Sequence, residues 1–242
     1  MRPPMTRLPL PRAAAGAIAG LMIAGGFHEI ALFVLLAFVG YLRPGECMRL
    51  TPSSVVRPVA GGAAHFMQWG LIVADIEDGV LSKVGVFDEA VSLDMDPWLL
   101  GPLSALVSSR TSGQCLWRYP YETIRDEFAK ACARLGLQKL EPHIYALRHG
   151  GASFDLFAKR RTLEQVKSRG RWRSDASLRR YGKSTRMQQV EGQLDPSVVK
   201  FGNHIINNLE QEIVSMMQRG TLTVPLPQPP NLDLPLSKKR KH

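Results

Sequence analysis

Cysteine is scarce in this sequence, and its scarcity argues against two classes of protein. The three cysteines, Cys47, Cys115 and Cys132, are odd in number and lie far apart in the chain. Small secreted domains stapled by disulfides use many cysteines, and zinc sites space them a few residues apart. We therefore expect reduced thiols in an intracellular protein, with neither a disulfide framework nor a zinc site.

Acidic residues are also scarce in one long segment. The whole chain carries 31 Lys+Arg and 21 Asp+Glu, a net charge of +10. Between residues 148 and 187, twelve lysines and arginines stand against three acids, Asp155, Glu164 and Asp175. A basic surface can simply be solvated, but such a concentration favours a polyanionic partner and a surface that faces phosphate groups.

Charge is almost absent from residues 13–42, "AAAGAIAGLMIAGGFHEIALFVLLAFVGYL". About 20 apolar residues suffice to cross a bilayer, so a membrane anchor carrying a basic cytoplasmic domain is one interpretation. Gly25-Gly26 and His28-Glu29 interrupt the run near its middle, and an ionised Glu at bilayer depth is costly. Two buried helices, about 13–24 and 28–41, joined by a glycine turn account for the interruption, and we expect no membrane contact.

The remaining patterns predict a mainly α protein with a small antiparallel β-sheet, an α+β class. Residues 68–94 have β-rich runs separated by Asp78-Gly79 and by "FDE", which indicates the sheet. Ile124, Phe128, Cys132 and Leu135 instead recur at helical spacing. We expect an extension at 1–12, one domain at 13–218, and a Pro-rich, basic, disordered tail at 219–242. The predicted helices are 97–108, one ending before Gly136, 146–158, 162–169, a basic helix and 199–218.

One tyrosine lies in unusual surroundings, in "GRWRSDASLRRYGKS". A helical Tyr is commonly a half-buried anchor, but Tyr181 next to so many cations also suits attack on a phosphodiester. Such attack needs fixed guanidinium groups for the phosphate oxygens and a proton donor for the leaving oxygen. Arg43, Lys83 and Arg148 are candidates from other segments. The basic residues predicted to contact DNA are Arg171, Arg173, Arg179, Arg180 and Lys183.

The order "LRPGE", "SK", "YALRHGG", "GRW" and a later Tyr resembles the catalytic domain of the tyrosine recombinases, the phage-integrase family. The resemblance covers about residues 13–215. It implies that Arg43 clamps the phosphate, that Glu46 orients Arg43, and that Lys83 is the general acid. It also implies that Arg148 is the second phosphate-binding Arg. Trp172, nine residues before Tyr181, then occupies the family's His or Trp position, and Tyr181 is the nucleophile.

The second family box departs from its usual H-x-x-R-H pattern. Tyr145 stands where His is usual, while Arg148 and His149 match. Tyr145 either hydrogen-bonds the phosphate in place of His or marks a loss of activity. We expect His149 to orient the site by local hydrogen bonding.

The resemblance implies a site-specific recombinase or integrase that cleaves and rejoins DNA through a 3′-phosphotyrosyl intermediate, without a cofactor. It implies a homotetramer on paired sites, with helix 199–218 a candidate for docking on a neighbour. The family's separate N-terminal helical domain has no counterpart here, which suggests a fragment, a mobile-element remnant or a minimal form. "KKRKH" suggests the nucleus in a eukaryote, otherwise the cytoplasm. The alternatives are a catalytically decayed DNA-binding remnant and a topoisomerase-like nicking enzyme.

Overall fold

Helices dominate the chain. A computed structural model describes residues 9–59, 68–74, 89–172, 174 and 184–228. The α-helices are α1 (Arg12–Ala24), α2 (His28–Val39), α3 (Pro44–Met48), α4 (Leu100–Ser108), α5 (Tyr121–Arg134), α6 (Ile144–Phe157), α7 (Leu163–Arg169), α8 (Ser184–Glu191), α9 (Pro196–Asn207) and α10 (Leu209–Arg219). Single 3-10 turns cover Pro52–Ser54, Pro97–Leu99 and Leu137–Leu140.

A small antiparallel sheet accompanies the helices. Its strands are β1 (Val55–Val56), β2 (Gly70–Ala74) and β3 (Glu89–Ser92), in the order β1-β2-β3. Leu71 pairs with Val55 on one side and with Val91 on the other, and all three side chains are buried. The predicted α+β class, mainly helical with a small antiparallel sheet, is therefore confirmed. The short strand β1 was not predicted.

The long apolar run forms the centre of the protein as the predicted pair of helices. α1 and α2 meet at a turn in which Gly26 has φ 80°, a conformation that glycine adopts readily. Nearly every side chain of both helices is buried, which explains why the run shows no polar face. Within the described ranges, no helix combines the length and the apolar character that crossing a membrane requires.

Glycines let the central helices approach closely. A Cβ atom on Gly16 of α1 would lie 2.8 Å from Ile206 of α9, closer than the 3.0 Å that real Cβ atoms keep. Gly150 and Gly151, directly after His149, similarly bring α6 against the backbone of Leu10 and Phe38. The close packing of α6 on α2 fixes the position of Arg148 relative to the chain that follows α2.

Helix α5 ends, and helix α7 begins and ends, close to the predicted positions. Gly136 has φ 69° and follows α5, as its sequence position predicts. Thr162 and Gln165 form a reciprocal capping box at the start of α7, and Gly170 ends that helix. These local signals explain why the prediction of 162–169 is confirmed.

The prediction of one C-terminal helix at 199–218 is wrong. The chain forms α9 and α10, which are separated at Asn208 (φ −129°, ψ 26°). The Asn208 side-chain amide donates to the carbonyl oxygen of His204 at 2.9 Å, a local bond that competes with helix continuation. Beyond α10, Thr223 donates to the buried Glu212, so contacts with the helical body continue past the expected start of the tail.

Candidate active site

Three separate elements bring predicted site residues together. Arg43 and Glu46 lie at the start of α3, Arg148 lies on α6, and Arg171 and Trp172 lie in the turn after α7. We call these five residues the arginine cluster. Two further predicted site residues, Tyr145 and His149, also lie on α6. The other predicted site residues lie outside the described ranges: Lys83, Arg173, Arg179, Arg180, Tyr181 and Lys183.

Arg43 and Glu46 are joined by two hydrogen bonds. Pro44 and Gly45 start α3 directly after Arg43, whose backbone N–H donates to Glu46 Oε2 at 2.6 Å. The Arg43 guanidinium donates to the other carboxylate oxygen. The Glu46 side chain is 7% exposed and that of Arg43 is 19% exposed. Glu46 thus orients Arg43, and part of the guanidinium faces solvent.

Arg148 is completely buried. Its two terminal nitrogens donate to the carbonyl oxygens of Tyr41 and Gly170. Its guanidinium carbon lies 4.6 Å from the ring centre of Trp172, and Nη1 lies 3.9 Å from Glu46 Oε2. Its Nε is buried and has no hydrogen-bond partner among the described residues. The side chain therefore ties three segments together, and it reaches no solvent in this arrangement.

Trp172 packs into the cluster because Gly170 leaves room for its ring. A Cβ atom at Gly170 would overlap the six-membered ring of Trp172. The Trp172 ring also lies 6.2 Å from that of Tyr41, with the planes tilted by 34°. Gly170 has two roles here, since its carbonyl oxygen also accepts from Arg148.

Arg171 was predicted from sequence as a DNA contact, yet the structure places its side chain inside the protein. The side chain is only 5% exposed. Nη2 donates to Glu46 Oε2 at 2.6 Å, and Nε lies 3.4 Å from Glu89 Oε2. The guanidinium faces two carboxylates of the chain itself.

Tyr145 and His149 form a pair beside Arg148. Both are half-buried on α6, and their rings meet edge to face with centroids 4.9 Å apart. His143 caps the same helix, since its Nδ1 accepts from the backbone N–H of Ala146 at 3.1 Å. The imidazole of His143 thus has a local structural role. This leaves Tyr145 and His149 as the half-buried rings near the cluster on this helix.

The cluster has more positive than negative charge. The three guanidiniums of Arg43, Arg148 and Arg171 face two carboxylates, Glu46 and Glu89. Burial raises the pKa of Glu46, but the guanidinium of Arg171 and the N–H and guanidinium of Arg43 outweigh it, so this pKa lies below its ordinary value.

Arg148 remains protonated at neutral pH despite its burial. Loss of water, helped by repulsion from Arg171 and Arg43, lowers the pKa of Arg148 to about 10. Among the described residues, the cluster therefore keeps an excess of positive charge at neutral pH. An anion is the ligand that this charge favours.

The basic segment is less available to solvent than its composition suggests. Asp155 accepts from the Tyr41 hydroxyl and pairs with Arg160 at 3.0 Å and Arg161 at 3.1 Å. Asp94 and Asp96 pair with the same two arginines, and the guanidinium of Arg169 donates to backbone carbonyl oxygens. Asp155 belongs to the segment itself, whereas Asp94 and Asp96 are distant from it in sequence.

Sequence reasoning missed Tyr41, Glu89 and the structural role of Gly170. Tyr41 has φ 48°, and its carbonyl oxygen is turned toward both Arg148 and Arg171. No residue pattern in "GYLRPGE" predicts the positive φ of Tyr41. Gly170 was identified only as a helix stop, although the large Trp172 two residues later was a signal that space was needed.

No metal-binding cluster is present in the part of the chain that the structure describes, where no three His, Cys, Asp or Glu side chains converge suitably. No protein-family model matches the chain, and neither a curated protein nor a solved structure matches it. Membership of the tyrosine recombinases therefore stays a prediction that rests on the sequence motifs.

Proposed function

We propose that this chain is a tyrosine-recombinase-like DNA strand transferase, with double-stranded DNA as substrate. The observation that carries the proposal is the arginine cluster: residues that the motifs select from distant segments meet around one carboxylate. Arg43 at 19% exposure supplies the guanidinium that an incoming phosphate can reach. A bidentate guanidinium suits phosphate oxygens and the charge that develops on them.

In the proposed reaction, the Tyr181 oxygen attacks the scissile phosphorus. The new bond is a 3′-phosphotyrosyl link, and the bond from phosphorus to the 5′ oxygen breaks. Lys83 gives its proton to the leaving 5′ oxygen, while the phenol proton passes to water. A 5′-hydroxyl from a second strand then reverses the sequence. On paired sites, four copies of the chain would carry out this exchange.

The test is relaxation of supercoiled plasmid in EDTA, followed by denaturing gels that detect covalent protein–DNA adducts. We expect wild-type protein to relax the plasmid and form adducts, and Tyr181→Phe to do neither. Tyr121→Phe is the matched control, because Tyr121 begins α5 and belongs to no part of the cluster. Relaxation that survives Tyr181→Phe would exclude Tyr181 as the nucleophile.

A DNA-binding remnant without catalysis is the second candidate. Two observations favour it: Tyr145 stands at the family's His position, and Arg148 is 0% exposed, so it needs a rearrangement to touch a phosphate. This candidate predicts salt-sensitive DNA binding with no adduct. If Tyr145→His then produced adducts, the loss of activity would be traced to that single position.

A further inference from the structure

Arg171 lies in a turn where a large side chain is unusual. Its backbone has φ 53°, and the turn closes with Arg171 N–H donating to Ser168 at 2.9 Å and Trp172 N–H to Lys167 at 3.1 Å. Turns that leave a helix in this conformation favour glycine, since a Cβ atom is strained there. A left-handed arginine persists only where its surroundings hold it in place.

The contacts of the Arg171 guanidinium keep this residue in its left-handed conformation. Besides its hydrogen bond to Glu46 and its ion pair with Glu89, the side chain donates to the carbonyl oxygen of Arg169 at 3.1 Å and to that of Tyr41 at 3.4 Å. The Arg171 side chain is charged and only 5% exposed, so it can act as an internal brace, that is, a buried side chain that links separate segments of the fold. A surface contact to DNA would need this side chain to leave both carboxylates.

The two carboxylates belong to different parts of the fold. Glu46 lies on α3 and orients Arg43, whereas Glu89 is the first residue of β3. We propose that Arg171 is a positioning residue that fixes α3, and with it Arg43, relative to the sheet. This role in catalysis rests on the proposed function. The planar guanidinium can face two acceptors at once, which the point charge of a lysine does less well.

Removing the guanidinium changes the partners of both acids. Glu46 Oε2 would lose the 2.6 Å hydrogen bond from Arg171, and Glu89 would lose its ion pair with Arg171. Arg43 then shifts together with Glu46. Because a misplacement of about 1 Å in a catalytic group can cost about 100-fold in rate, a large kinetic effect is expected without a direct substrate contact.

The first measurement compares adduct formation with DNA affinity for Arg171→Gln, Arg171→Lys and Glu89→Gln. We expect Arg171→Gln to slow single-turnover adduct formation about 100-fold. Binding to a short duplex, and its salt dependence, should stay unchanged. Arg134→Gln on the exposed side of α5 is the matched control and should keep the wild-type rate. A phosphate contact at Arg171 would instead reduce the salt slope by about one, and that result would overturn the proposal.

Glu89→Gln provides a milder perturbation of the same brace. It should also slow adduct formation, and the double variant with Arg171→Gln should be little slower than Arg171→Gln alone, because both remove one shared interaction. Effects that multiply would mean that the two residues act separately, and would contradict the proposal.

Amide hydrogen exchange tests the brace without any reliance on activity. Arg171→Gln should speed exchange in α3 and β3 while leaving α9, on the other side of the core, unchanged. Unchanged exchange in α3 and β3 would refute the brace even if the variant were slow. If wild-type protein forms no adduct, the proposed function fails by itself, and the exchange result still decides whether Arg171 positions α3.

Discussion

Replacing Arg148 with methionine tests how much this buried guanidinium stabilises the fold. Methionine keeps much of the length but makes no hydrogen bond to the carbonyl oxygens of Tyr41 and Gly170. It also leaves Glu46 with one cation fewer, since Nη1 lies 3.9 Å from its carboxylate. Hydrogen bonds to charged groups contribute about 1.5–3 kcal/mol each.

The expected loss is smaller than the sum of two such bonds, because burying the guanidinium is itself costly. Removal of the guanidinium leaves the buried carbonyl oxygens of Tyr41 and Gly170 without this donor, but it also relieves the repulsion from Arg43 and Arg171. We therefore expect Arg148→Met to lower the free energy of unfolding by about 2–4 kcal/mol. The free energy of unfolding of natural domains is about 5–15 kcal/mol, so the variant should remain folded but be clearly less stable.

Urea unfolding followed by circular dichroism measures the loss, and Arg43→Met is the matched control. Arg43 is 19% exposed, and Glu46 keeps its 2.6 Å bond from Arg171 when Arg43 is replaced. We therefore expect Arg43→Met to lower the free energy of unfolding by only about 1 kcal/mol. If both arginines serve the cleavage reaction, both variants lose adduct formation but only Arg148→Met loses much stability. An Arg148→Met variant as stable as Arg43→Met would refute the structural role of its carbonyl contacts.

Two further predictions concern the helical body. Gly202→Ala should lower the free energy of unfolding by about 1–3 kcal/mol, because the new Cβ would overlap the carbonyl oxygen of Ala13 across the contact between α9 and α1. In urea titrations Gly45→Ala, whose Cβ would meet its nearest atom at 3.7 Å, should show no such loss. Burial raises the pKa of Glu212, but hydrogen bonds from Thr223 and His204 outweigh it, so this pKa lies below its ordinary 4.5. The stabilisation is therefore complete above pH 4.5 and lost as pH falls through the folded-state pKa. Unfolding at a series of pH values should show a smaller acid-induced loss for Glu212→Gln, and equal losses would contradict this reasoning.

Local signals explain which parts of the fold were predictable. The break between α1 and α2 followed from adjacent glycines and a Glu that a bilayer would not accommodate. The buried face of α5 followed from helical spacing, and Ile124 and Phe128 are at most 2% exposed. The break at Asn208 was not predictable in this way, because apolar residues continue at helical spacing on both sides of it.

The surroundings of the basic segment could not be predicted, because apart from Asp155 its neutralising partners come from elsewhere in the chain. Counting charges along the sequence left an excess between residues 148 and 187. The fold brings Asp94 and Asp96 to Arg160 and Arg161, and it brings Glu46 and Glu89 to Arg171. Sequence composition identifies positive charge, but only tertiary contacts decide which cations still face solvent.

Backbone strain and the arginine cluster depend on each other. Tyr41 and Arg171 both adopt positive φ, and each such conformation costs about 1–3 kcal/mol unless the surroundings enforce it. The Tyr41 carbonyl oxygen accepts from Arg148, while the Arg171 side chain is bonded to Glu46. Hydrogen bonds of the guanidiniums therefore stabilise the strained backbone at Tyr41 and Arg171. That backbone in turn positions the guanidiniums of Arg148 and Arg171. Because the inner arginines are used in this way, Arg43 is the member of the cluster from which a phosphate contact is most readily made.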